Sequence, residues 1–216
     1  MDKDQFICQH IVRALRSGLV PSRGLDRIAV GREDELGRLL ADLERNQTGG
    51  AWVRCLSGNY SSGKTFFCSL VREEAWRRGF IVAAVDLGRD APFHRFDVIF
   101  HRLMHAMRTE HFREVPAFEF ILQEWLFNLE QEVQRSMGLN PLNPVQRGEV
   151  SRIIAQRISE QLAKLRIYDR SFATAVHSYY EASQQGHEAT ATASVGWLTG
   201  NASVPDEERK ELPMRG

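Results

Sequence analysis

Lysine is scarce in this chain, four among 216 residues, and cysteine scarcer, with only Cys8, Cys55 and Cys68. An odd cysteine count without metal-ligand spacing excludes a disulfide framework and a zinc-finger type of site. Cys55 and Cys68 lie in apolar runs, so reduced core thiols in a cytoplasmic protein are expected. No apolar run approaches the roughly 18 residues of a membrane helix. Met1-Asp2-Lys3-Asp4 does not open a basic-then-apolar leader pattern. Net charge is absent too: 28 basic and 28 acidic residues cancel. That removes the general electrostatic pull towards nucleic acid and leaves DNA contact to a local patch, if there is one. No serine sits in a G-x-S-x-G elbow, so a Ser/His/Asp hydrolase is not supported. What remains, 43% hydrophobic and 26% charged, is an ordinary soluble globular composition. The length suits one sizeable domain, or one with an appended helical lobe.

One of the four lysines falls in the most informative stretch, Gly58-Asn59-Tyr60-Ser61-Ser62-Gly63-Lys64-Thr65. It fits G-x-x-x-x-G-K-[ST], the phosphate-binding P-loop. Its glycines let successive backbone N–H groups point at one anion. Lys64 can reach β- and γ-phosphates, and the Thr65 hydroxyl can ligate the accompanying Mg²⁺. The flanks agree: Ala51–Leu56 reads as a short buried strand, and Phe66–Val71 opens a helix whose N-terminus would face the phosphates.

The rest of the chain organises around that loop. A helix is expected from about Asp4 to Ser17, with Ile7, Ile11, Ala14 and Leu15 on one face. Ile28–Glu33 leads into a second helix carrying Leu36, Leu39, Leu40 and Leu43, ended by Asn46–Gly50. Gly79 should stop the P-loop helix, and Phe80–Leu87 reads as a central parallel strand. The expected fold class is therefore α/β, a partial parallel sheet of strands near 51–56 and 80–87 with flanking helices. Helices near 95–108, 117–137, 149–166 and 170–184 follow. In the third-last of these segments Ile121, Leu122, Trp125, Leu126, Leu129 and Val133 form an apolar stripe that reads as core. Gly138–Pro144 is the clearest interior break, and weak order is expected after residue 185. The organisation is thus 1–50 N-terminal helices and adenine-side segment, 51–94 β-α-β core, 95–184 helical segment and 185–216 tail.

Hydrolysis needs more than a phosphate cradle. It normally uses a second strand ending in an acid that holds Mg²⁺, and a water-orienting glutamate. Asp86 is the one strand-end acid, a candidate second Mg²⁺ residue, but Leu87-Gly88 follow it. The Asn-Lys-x-Asp guanine reader is absent, which favours adenine. His101 and His105 stand four apart on an expected helix near His94 and His111. Arg102 occupies the place of a zinc protease's glutamate, so surface or capping histidines are favoured over a metal site. Trp52, Trp76, Trp125 and Trp197 default to core packing.

Arg13–Gly18 with Val20-Pro21, then Gly24-Leu25, Ile28–Glu33, the 58–66 loop, Gly79-Phe80 and Val85–Leu87 occur in a telling order. This order resembles the ATP-binding proteins of BREX bacteriophage-defence systems, an AAA-like P-loop group of bacteria. The resemblance implies ATP with Mg²⁺, partners in a defence complex and a cytoplasmic setting. It also implies that Val30, Gly31 and Arg32 lie beside the adenine. Ser61 stands where that family usually carries glycine. The family's Walker B acids lie beyond Gly216, which implies a truncated or split ATPase without its hydrolytic half. The alternative is a regulatory ATP-sensing P-loop module that does not hydrolyse.

Overall fold

The structure is a computed structural model and describes residues 2–46, 51–137, 144–164 and 170–201. The loops expected at 47–50 and 138–143, and the charged stretch at 205–210, lie outside the described residues. The chain divides into two compact units, Met1–Val82 with Arg108–Arg113, and Ala83–Met107 with Glu114–Gly216.

In the first unit, helix α1 spans Lys3–Arg16 and is capped by the Asp2 side chain. Ile11 is its buried residue. A 3-10 turn at Leu25–Arg27 follows Gly24, which is left-handed at φ 73°. A Cβ on Gly24 would fall 2.5 Å from Ile7 Cγ2, so this turn lies hard against α1. Helix α2 spans Glu33–Asn46 and helix α3 Lys64–Arg77. α3 buries Phe67, Leu70, Glu73, Ala75 and Trp76. It ends in a Schellman turn: the Gly79 N–H donates to Trp76 O and the Phe80 N–H to Ala75 O, with Gly79 at φ 77°. The expected glycine stop is therefore present. The Trp76 indole N–H donates to the Arg108 carbonyl at 3.1 Å, and Arg113 stacks 4.9 Å above the same ring.

The expected parallel sheet is overturned. No strand is named among the described residues, only two isolated antiparallel bridges. Val82 exchanges both backbone bonds with Arg108, and Gly88 meets Ala91 across a tight turn. Residues 51–56 are exposed throughout, with Val53 at 90% and Trp52 at 52%. They are tied to α2 by charged groups: Arg54 pairs with the buried Asp42, and the Arg45 guanidinium lies 5.6 Å from the Trp52 ring centre. Apolar composition signals a central strand only when layers cover both faces. Among the described residues no layers enclose this run on both faces, so the α/β class does not hold and every named element is helical. The same exposure corrects the cysteines, since Cys8, Cys55 and Cys68 are all free and exposed.

The second unit holds α4 Phe96–Ala106, α5 Phe118–Met137, α6 Pro144–Lys164, α7 Arg170–Gln185 and α8 Glu188–Leu198. Leu122, Leu126, Leu129 and Val133 of α5 meet Val150, Ile154, Ile158 and Leu162 of α6 in one core. These recur at three- and four-residue steps, the spacing that lines one helix face. Ala175, Val176, Tyr179 and Tyr180 of α7 close that core, with Ala193 and Leu198 of α8. Two part-buried polar bonds flank it: Trp125 Nε1 donates to Gln161 at 2.9 Å, and Gln123 Nε2 to the Tyr179 hydroxyl at 2.9 Å. Weak order was expected where α8 stands. Its alanines, serine and threonines carry little hydrophobicity, but their small side chains let it pack closely, with Ser194 fully buried.

Candidate phosphate-binding site

Residues 58–65 form a tight turn that runs straight into α3. Gly63 is the residue before the helix, left-handed at φ 84°, and no side chain caps the helix. Its first-turn N–H groups therefore keep the free donors that every helix start leaves, and the helix dipole adds partial positive charge there. Ser61 is also left-handed, at φ 61°, the one non-glycine residue so placed among the described residues. The Ser62 N–H donates to Asn59 O at 3.2 Å. A Cβ on Gly58 would come within 2.6 Å of the Ser62 hydroxyl oxygen. The loop is wound so tightly that a side chain at Gly58 would displace it.

The Lys64 ammonium turns back over this loop. It donates to Gly58 O at 2.8 Å and Asn59 O at 2.7 Å. Thr65 is exposed at the second position of α3, and Tyr60 is 98% exposed at the crown of the loop. From the segment before α2, the Arg32 guanidinium donates to the Ser62 carbonyl at 3.1 Å. The loop thus carries two cations, Lys64 and Arg32, on its own carbonyls. Gly31 is left-handed at φ 70°, and its N–H donates to the Glu33 carboxylate at 3.1 Å. Backbone N–H groups of Glu33 itself, Gly31 and Arg32 hold that carboxyl below its usual range. Val30 is 85% exposed.

Of the residues singled out from sequence, 58–65 and Arg32 come together in the first unit. Asp86 belongs to the second unit and is exposed. His101 and His105 are in edge contact at 4.4 Å, and His101 Nδ1 lies 3.2 Å from the Thr199 carbonyl oxygen. No group of three or more metal-ligating residues occurs among the described residues. Sequence reading passed over Glu73, which is 4% exposed and accepts from the Gly24 and Leu25 N–H groups at 3.1 Å each. Its signal was available: a carboxylate three residues after Leu70 lies on the buried face of α3.

The residues fit a triphosphate and its metal. They offer a free helix start, two left-handed turns, a cation held by neutral carbonyls and an exposed hydroxyl beside it. Chemically, such an arrangement could receive an anion. The chain matches the family model described as BREX system ATP-binding protein BrxC/D over residues 5–216. It belongs to that family of BREX system ATP-binding proteins. No curated protein and no solved structure matches it. Among the described residues, no helix is long and apolar enough to cross a membrane.

Proposed function

We propose that residues 58–65 are where this BREX-family chain binds ATP. The observation that carries this is the Lys64 ammonium, resting on the Gly58 and Asn59 carbonyls at the mouth of an uncapped helix. Neutral carbonyls are weaker partners for an ammonium than phosphate oxygens. Bound triphosphate would draw Lys64 onto its β- and γ-oxygens, while the N–H groups of Gly63, Lys64 and Thr65 surround them. The Thr65 hydroxyl would hold Mg²⁺, which supplies charge neutralisation across the phosphates. Val30, Gly31 and Arg32 would flank the base, with adenine preferred over guanine because the sequence has no guanine-reading motif.

The chain acts in the cytoplasm with other proteins of a defence complex, as a binding component with slow turnover by itself. Asp86 is the acid nominated from sequence for Mg²⁺, and Leu87-Gly88 follow it in place of a water-orienting glutamate. Calorimetric titration with Mg·ATP and Mg·GTP tests the assignment. Saturable ATP binding with weaker GTP binding is expected. No ATP binding at millimolar nucleotide would refute it.

A further inference from the structure

The segment from Gly24 to Arg32 is fastened at two places, to α3 and to the loop that precedes it. At the far end the Glu73 carboxylate accepts the Gly24 and Leu25 N–H groups, at 3.1 Å each. Arg77 braces it, donating to Glu73 at 3.1 Å and to Asp26 at 3.0 Å. At the near end Arg32 donates to the Ser62 carbonyl of the loop. Glu73 lies nine residues beyond Lys64, about 13 Å along a helix axis, so the two ties span most of α3. Between them Val30 presents an apolar side chain, 85% exposed. Phosphate has no use for apolar surface; the organic part of a nucleotide does.

From this we infer that Glu73 is a positioning residue for the organic half of the ligand: it fixes segment 24–32 along α3 so that Val30 and Arg32 stand beside the phosphate loop. The inference rests on the phosphate-loop assignment above. A buried carboxylate is costly unless it is well bonded. Here two backbone N–H groups and a guanidinium satisfy it, which makes the tie stiff and specific. Gly24 is left-handed, and a Cβ there would fall 2.5 Å from Ile7 Cγ2, so the turn that Glu73 holds packs closely on α1.

The test compares Mg·ATP with inorganic tripolyphosphate plus Mg²⁺, titrated calorimetrically into the full chain. Glu73→Gln keeps the shape but turns one acceptor into an amide donor. Its affinity for ATP should fall about tenfold, while that for tripolyphosphate stays within about twofold. A merely structural role would lower both together or neither, and either result overturns the proposal. If Glu73→Gln does not fold by circular dichroism, Arg77→Gln replaces a side chain 37% exposed that braces the same carboxylate. It should show the same selective loss, and equal losses there also overturn the idea. Lys64→Ala serves as the reference and should weaken both ligands. If it weakens neither, the phosphate-loop assignment itself fails, independently of Glu73.

Discussion

The Lys64 ammonium donates to the Asn59 carbonyl oxygen at 2.7 Å and to the Gly58 carbonyl oxygen at 2.8 Å, which uses two of its three donors. A phosphate oxygen is the stronger acceptor, because a hydrogen bond to an anion is roughly twice as strong as one to a neutral group. Lys64→Ala should therefore lower ATP affinity at least about tenfold, about 1.4 kcal/mol. Calorimetry decides it. Unchanged affinity would remove the loop from the binding site.

Ser61 carries a left-handed backbone, φ 61°, at a place where only glycine adopts that shape without steric cost. The penalty for an L-residue is about 1–2 kcal/mol, partly offset by the greater chain entropy that glycine loses on folding. Ser61→Gly should raise stability by about 0.5–1 kcal/mol and leave nucleotide binding intact. Urea denaturation checks the first part. A loss of stability would mean that the left-handed turn is not held in solution.

Both oxygens of the Asp97 carboxylate accept from Arg95, at 3.0 and 2.7 Å. The Arg95 hydrogen bond holds the Asp97 pKa down to about 2. The folded value lies below the unfolded one, so this pair stabilises α4 above about pH 4. The contribution is lost as pH falls through about 2. An NMR titration of the side-chain carboxyl should give a midpoint about 2, moving to about 4 in Arg95→Ala. A wild-type midpoint already near 4 would show that the fork does not persist.

Ile154 is fully buried between α5, α6 and α7, whereas Phe127 on the other side of α5 is 59% exposed. Truncating a buried isoleucine removes its transfer energy and leaves a cavity. Ile154→Ala should cost about 2–5 kcal/mol, and Phe127→Ala about 0.5 kcal/mol or less. Comparable losses at both positions would mean that the outer face of α5 is covered.

What could be read from sequence follows from how burial is encoded. Leu122, Leu126, Leu129 and Val133 recur at helical spacing, so α5 and its inward face were legible. The turn at 58–65 and the helix start after it were legible because two glycines and a lysine at fixed spacing are rare without them. Residues 51–56 misled because an apolar run carries no information about whether anything lies against it. Cys55 was misplaced for the same reason. α8 escaped notice because alanine and serine bury by closeness of approach, which no periodicity of large side chains records. Glu73 could not be assigned its partners, since Gly24 and Leu25 are 49 and 48 residues away.

The last prediction concerns turnover. Positioning a triphosphate is one part of catalysis; a water-orienting acid and an arginine finger supply the rest, the finger alone about 10³–10⁵ in rate. On the proposed reading, Lys64, Thr65 and the helix start would serve positioning and metal, whereas Asp86 is followed by Leu87-Gly88 and not by a water-orienting glutamate. Glu33 is the acid nearest in sequence to Arg32. Its carboxylate is already engaged by the Gly31 N–H and held ionised by three backbone N–H groups, so it is a poor proton acceptor. The purified chain should bind Mg·ATP and hydrolyse it well below about one per second, the low end of working enzymes. Phosphate release measured at saturating ATP gives the answer. A rate of about one per second or more would contradict the slow-turnover reading. Parallel assays of Asp86→Ala and Glu33→Gln would then identify which carboxylate orients the water.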